Sequence, residues 1–341
     1  MESSKHKFLK NSSADKKMSC KEQAEFLLLI GKLMKNGFSL NQSIKCLMYL
    51  DKDNKVFANI YHDLQDGIML STALKHLNLP AVVQNQLVIS QMNGGIQQTV
   101  IQCGNILKSK AKQQTKLREL LMYPMFIMGF LTVMIIGMKV IILPQLQSSA
   151  GGANLDLVFQ FAGIGLIFAV VGLIAGSIYL RRLSEYDRAK ILVKLPIINQ
   201  SYLHFYQFTI LQGWGLQFSK GMDLHQICLS NQIFSEGSIQ NVLAKKILDC
   251  MKNGDSLEKV IDKELLLPNE LNMIFCCGGG IGEMASDILL ISELKYESTQ
   301  TSIKKLLNLV QPVLFGIIAI FILVAYLMIL LPVYGMMKGM N

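Results

Sequence analysis

Phe26, Leu29, Ile30, Leu33 and Met34 recur at intervals of three and four, the spacing that lines up side chains on one face of a helix, and the pattern stops at Gly37. A second run, Leu40, Ile44, Leu47 and Met48, takes it up at once. Much later the same arrangement returns as Ile210, Leu211, Trp214 and Phe218, then Gly221 and Leu224. Turn signals at Gly37, Asp66-Gly67, Pro80 and Gly94, and at Gly221, Asn253-Gly254, Pro268 and Gly282, cut each stretch into short helices, and no sustained alternation argues for strands. The predicted fold class is all-α, each stretch reading as a small helical bundle.

Three other stretches lose their polar positions almost entirely. Leu157–Leu180 carries no charge, Lys305 to Lys338 encloses a charge-free run with its apolar core at Val310–Tyr334, and Leu120–Leu143 is interrupted only by Lys139 near its far end. Helices of this length, at about 1.5 Å per residue, cover the ~30 Å of a bilayer's hydrocarbon core. The pattern therefore predicts a polytopic membrane protein with three transmembrane helices. Residues 1–25 contain no apolar core ending in a small-residue cleavage site, so the first span is expected to insert as an internal signal anchor.

The positions of Lys and Arg decide the orientation. They crowd into residues 1–118 and 181–309 and are absent from 144–156; Lys116 and Arg118 precede the first span, Arg181 and Arg182 follow the second, and Lys304 and Lys305 precede the third. By the positive-inside rule both polar stretches face the cytoplasm, with these six residues as juxtamembrane anchors touching lipid headgroups. The resulting plan is a basic tail at 1–20, a cytoplasmic segment at 21–118, spans at 119–143 and 157–180 joined by an outside loop at 144–156, a second cytoplasmic segment at 181–309, a third span at 310–334 and an outside tail at 335–341. The N-terminus is cytoplasmic and the C-terminus outside. Cys20, Cys46, Cys103, Cys228, Cys250, Cys276 and Cys277 all fall on the reducing side, which disfavours disulfides.

The two cytoplasmic segments read as tandem copies. Pro80 and Pro268, Pro124 and Pro312, and Pro144 and Pro332 are each 188 residues apart, as are Gly94 and Gly282; Gly67 and Gly254 are 187 apart, and Gly37 and Gly221 are 184 apart. Each copy ends in a span that opens near one proline and closes at another. The unduplicated second span returns the chain to the same side.

Composition removes several classes of function. With 51% hydrophobic and 17% charged residues, a soluble single-core enzyme and a disordered chain are both excluded. The net charge of +9 does not argue for nucleic acid, because no aromatic residues interleave with the basic run Lys108, Lys110, Lys112, Lys116 and Arg118. Gly31-Lys32 lacks the further glycine five residues before Gly31 that a phosphate-cradling loop needs, Phe26 standing there instead. His6, His62, His76, His204 and His225 form no HExxH pair, and no serine sits in GxSxG. Cys276-Cys277-Gly278-Gly279-Gly280-Ile281-Gly282 reads as a helix-helix turn, since its partner stretch Val88–Gly94 shares only the last glycine. Lys139, five residues before Pro144, can carry its charge to the outer interface along its own stem. No catalytic residue, metal site or cofactor is expected.

Phe26, Gly37 and Leu40, then Asp66-Gly67, Leu79-Pro80 and Gly94, with Pro124 and a closing span, resemble the type II secretion F domain, and the pattern occurs twice, the second copy entered at Leu195-Pro196. The chain is most similar to the competence-pilus platform proteins within that family. The resemblance implies a non-enzymatic, homo-oligomeric membrane scaffold that couples a cytoplasmic assembly ATPase to pilin or pseudopilin polymerisation, for DNA uptake in competence; the alternatives are an adhesive or motility pilus, a secretion pseudopilus, or a transporter or channel subunit. Its implied partners are that ATPase, pilins and membrane lipids, not nucleic acid. Where family copies carry a glutamate before the conserved glycine and an acid after it, this chain has Gln91 and Gly279, then Gln97 and Ala285.

Overall fold

A computed structural model of the chain describes residues 18–50, 55–137, 140, 175–176, 178–180, 182–276 and 279–338. The basic tail to Lys17, Lys139, Pro144, the expected outer loop, the expected second span as far as Ile174, Arg181 and Cys277 lie outside them. Every regular element among the described residues is helical. The helices are α1 Cys20–Lys35, α2 Leu40–Leu50, α3 Lys55–Gln65, α4 Leu70–Ala73 continuing as a 3-10 turn Leu74–Leu77, α5 Ala81–Asn93 and α6 Ile96–Gly137; then α7 Glu185–Lys194, α8 Asn199–Phe218, α9 Leu224–Asn231, α10 Ile239–Asn253, α11 Leu257–Lys263, α12 Glu270–Cys276 and α13 Ile281–Lys338.

The chain divides into two units, one of Met1–Gln114 with Asn199–Gln300, the other of Thr115–Ile198 with Thr301–Asn341. In the first, α1 begins at a capping box: the Glu22 N–H donates to Ser19 Oγ at 3.3 Å while the Ser19 N–H donates to Glu22 Oε2 at 2.7 Å. Its apolar face meets α3, where Phe26 stacks on Phe57 at 4.8 Å between centroids, and Leu27, Ile30, Ile44, Ile60, Leu74 and Leu107 close a common core. Burying each such side chain stabilises the fold by about 1.5–3 kcal/mol relative to leaving it exposed.

Gly37 ends the turn after α1 at φ +90°, in the left-handed region that a Cβ strains, and Gly221 does the same after α8 at φ +80°. Two residues past each glycine sits another capping box. Gln42 N donates to Ser39 Oγ at 3.2 Å and Ser39 N to Gln42 Oε1 at 2.9 Å; Gln226 N donates to Asp223 Oδ1 at 2.7 Å and Asp223 N to Gln226 Oε1 at 3.1 Å. Ser39 and Asp223, like Gln42 and Gln226, are 184 residues apart. Gly67 at φ +78° and Gly254 at φ +71° likewise follow α3 and α10.

Close helix approach recurs in the same way. A Cβ on Gly31 would collide with Ile101 of α6, and one on Gly215 would lie 2.7 Å from Leu289 of α13. Gly31 and Gly215 are 184 residues apart, Ile101 and Leu289 188.

The two polar stretches, expected as separate bundles, share this unit, and α8 is the reason. Every residue from Tyr206 to Phe218 is buried, so this part of the helix has no solvent-facing side and needs walls all round. Helix α5 of the first stretch supplies one wall and α13 of the second another: Ile89 comes within 3.0 Å of where a Gly213 Cβ would stand, and Phe208 packs on Tyr296 at 4.9 Å between centroids.

One expected landmark falls elsewhere. Gly282 is not at a turn but is the second residue of α13, the break before that helix falling at Gly279 and Gly280. Gly94 and Gly95, both at positive φ, precede α6, which starts 185 residues before α13, so the 188-residue spacing of Gly94 and Gly282 does not give them one position. Pro124 and Pro312 lie inside α6 and α13, near the starts of the expected spans. Pro332 also lies within α13, which runs through Lys338.

In the second unit, α6 and α13 continue as apolar rods whose large side chains are exposed, among them Met122, Phe126, Phe130, Val313, Phe315 and Ile320. Helix α7 buries only Ala189, Leu192 and Val193.

Candidate membrane interface and the polar seam of the first unit

Two stretches among the described residues, Ile96–Met134 and Ile281–Leu323, are long and apolar enough to cross a membrane, and the most apolar part of each is little covered by the protein. A soluble core helix of this composition would be mostly buried; here the apolar side chains face outward over several turns, as they do against lipid tails. The basic residues come immediately before these belts. Lys116 and Arg118 precede Met122 on α6, Lys304 and Lys305 precede Leu309 on α13, and all four are exposed, as is Arg182.

Helix termini position the other landmark residues. Pro80 is the N-cap of α5 at φ −56° and ψ 143°, using its fixed φ where the backbone must turn into the helix. Pro268 stands two residues before α12, whose first turn is joined by the Leu271 N–H donating to Pro268 O at 3.1 Å. Gln91, standing where the family's glutamate would be, accepts from the Ser71 N–H at 3.1 Å and so caps the start of α4. Ala285 is buried in the wall around α8, and Gln97 is exposed.

The seam between the two polar stretches is built from amides and hydroxyls. Gln86 Nε2 donates to Thr209 O at 2.8 Å. Gln102 and Gln212 pair through both their amides, Gln102 Nε2 donating to Gln212 Oε1 at 2.6 Å, and Ser292 Oγ lies 3.1 Å from that same oxygen. Further along, Tyr296 donates to Ser109 Oγ at 3.2 Å and Gln113 Nε2 donates to Gln300 Oε1 at 3.0 Å. Both contacts advance by four residues in the same direction, so α6 and α13 run parallel there. Sequence reasoning did not find this seam; its only signal was the glutamines at 207, 212 and 217 inside an otherwise apolar helix.

A titratable cluster flanks the seam. Lys295 on α13 donates to Glu270 on α12 at 2.6 Å, and His204 on α8 has a buried Nδ1 with no partner. Burial pulls the His204 pKa below its ordinary value, the nearby Lys295 ammonium adds to that, and a Ser298 backbone hydrogen bond and Glu270 oppose it. For Glu270 burial alone would raise the pKa, but the Lys295 hydrogen bond and charge leave it below the usual carboxylate value.

The six described cysteines are free thiols: Cys103, Cys228 and Cys250 are buried, Cys20 and Cys46 half-buried, and Cys276 exposed. Burial pushes the thiols of Cys103 and Cys228 up to about 12. Among the described residues no group of three or more His, Cys, Asp or Glu is placed to hold a metal. A small space of about 10 Å³ behind Ile89, Thr209, Trp214, Asn231, Gln240 and Leu243 has room for one water and not for a metabolite.

Comparison with known proteins places these features. Residues 26–144 match the family described as type II secretion system (T2SS), protein F. That match runs from within α1 through α6 and into the segment that follows. Over 326 residues the chain is 23% identical to "ComG operon protein 2" of Bacillus subtilis (strain 168), and 22% identical to the "ComG operon protein 2 homolog" of Halalkalibacterium halodurans, in each case covering 89% of this chain and 99% of the relative. The resemblance to the F domain read from Phe26, Gly37, Gly67, Pro80 and Gly94 is thus shown for the first polar stretch, and the two apolar helices with it support a membrane protein.

Proposed function

We propose that this chain is the membrane platform of a type II secretion or type IV pilus-like machine, serving DNA uptake. In this reading it is not an enzyme: the unit holding both polar stretches faces the cytoplasm and docks the assembly ATPase, the spans guide pilin subunits, and all mechanical work comes from the partner. Three spans place the N-terminus inside and the C-terminus outside, and copies of the chain assemble with one another. The two polar stretches are tandem duplicates, a view supported by Gly31 and Gly215 each admitting a long helix, and by the capping boxes at Ser39 and Asp223.

The observation that carries the reading is the continuity of α6. One helix begins among the residues matched to the secretion family and runs on into an exposed apolar belt, as a scaffold joining a cytoplasmic motor to membrane-embedded subunits requires. No catalytic constellation competes with it among the described residues.

The test uses the full-length protein in detergent. It is expected to retain an assembly ATPase from its own cells and to hydrolyse no ATP after the motor is removed; hydrolysis that persisted, or failure to retain the motor, would overturn the platform reading. Deleting the gene is expected to abolish transformation by added DNA, whereas loss of adhesion or motility with transformation intact would assign the machine to a different pilus.

A further inference from the structure

Helix α7 has a composition that neither the seam nor the spans explain. Its N-terminus is closed by Ser184, which accepts from the Asp187 N–H at 3.2 Å and donates to Asp187 Oδ2 at 2.7 Å, so that acid is engaged in the cap. One side of the helix buries Ala189, Leu192 and Val193. The remainder presents Arg188, Lys190 and Lys194 together with Ile191, and past the helix end Leu195 and Ile197 are also uncovered, Ile197 at 73% exposure. From Arg188 to Met222 there is no acidic residue. Bases and large aliphatic residues exposed side by side suit neither water alone nor a protein core.

We propose that Arg188–Ile197 lies in the cytoplasmic face of the membrane as an interfacial anchor for anionic phospholipid, with Ile191, Leu195 and Ile197 reaching the acyl boundary and Arg188, Lys190 and Lys194 facing headgroup phosphates. This rests on the reading of Leu157–Leu180 as a span. Only the four residues 181–184 separate Leu180 from α7, and an extended chain advances at most about 3.6 Å per residue, so the helix begins within roughly 20 Å of the hydrocarbon edge. An amphipathic helix with basic residues beside aliphatic ones partitions to that depth. Charge complementarity names the lipid. Each basic residue near an anionic surface strengthens association about fivefold, and nothing in the segment past Asp187 opposes it.

The full-length protein carrying Ile197→Trp, reconstituted in nanodiscs of phosphatidylcholine alone or mixed with phosphatidylglycerol, tests this with chain-brominated lipids as quenchers. The wild type, whose single tryptophan Trp214 is buried in α8, sets the background. Quenching above that background is expected, stronger with phosphatidylglycerol, and lost when Arg188→Gln, Lys190→Gln and Lys194→Gln are added, since three charges together are worth on the order of a hundredfold in association. Ile191→Trp provides an independent probe should the first variant fold poorly. No excess quenching at either position, or quenching indifferent to lipid charge and to the three substitutions, overturns the inference. Alkaline carbonate washing of native membranes separates the two levels: protein retained in the membrane with an unquenched indole sinks the anchor alone, while release by carbonate sinks the span reading with it.

Discussion

At the residue scale, the informative positions are those where an added atom has nowhere to go. Gly215→Ala places a methyl 2.7 Å from Leu289 in the wall around α8, and overpacking of this kind costs about 1–3 kcal/mol. A lowered unfolding midpoint of the detergent-solubilised protein is expected; Gly316→Ala, whose Cβ meets nothing, is the matched control. Thiol reactivity separates the cysteines in the same physical way: Cys276 is expected to react with maleimide in the native protein, and Cys103 and Cys228 only after unfolding, as peptide mapping would reveal. His204 gives stability a pH dependence. Its folded pKa lies below its unfolded value of about 6.5, so the unfolded chain binds the extra proton as pH falls below that value, and stability is present above pH 6.5 and lost on acidification. His204→Gln is expected to flatten the dependence of the midpoint on pH just below about 6.5. Lys295 and Glu270 face it, and the Glu270 contribution, of the same sign, begins only below about pH 4.5.

At the scale of elements, the polar seam decides how two runs of helices become one body. Gln212→Ala leaves the part-buried Gln102 amide without its partner, at a cost of about 1–3 kcal/mol, while the Ser292 hydroxyl keeps the Phe208 carbonyl as its acceptor. Replacing Gln102 and Gln212 together with leucine is expected to cost less than the sum of the two single changes, measurable as a coupling in a double-mutant cycle. The seam also shows what was and was not legible in the chain. Gly37, Gly67, Gly221 and Gly254 were readable because a positive φ tolerates few other residues, and α1 because Phe26 to Met34 keep one face. Helix α8 was recognised as a helix, but its burial was not, since a helix buried on every side has no preferred face to read. Gly282 misled because equal spacing along the chain was taken for an equal place in the fold, while the helix it belongs to begins three residues earlier than that spacing implies. Nor could a single-chain pattern show that Gln102, in one stretch, would meet Gln212, in the other.

At the scale of the whole molecule, two apolar belts and the family match assign the chain to the membrane, and resistance to carbonate extraction is the expected outcome. The shared core has a further consequence for how the chain can be divided. Helix α8 belongs by sequence to the second stretch, yet α5 of the first completes its wall. A polypeptide cut between Gln114 and Asn199 should therefore yield fragments that are each insoluble or protease-sensitive when made singly, and that regain resistance when made in the same cell. Neither stretch is free to drift without the other: a larger side chain at Gly213 is expected to be tolerated only with a smaller one at Ile89, so these two positions should vary as a pair in the descendants of this gene.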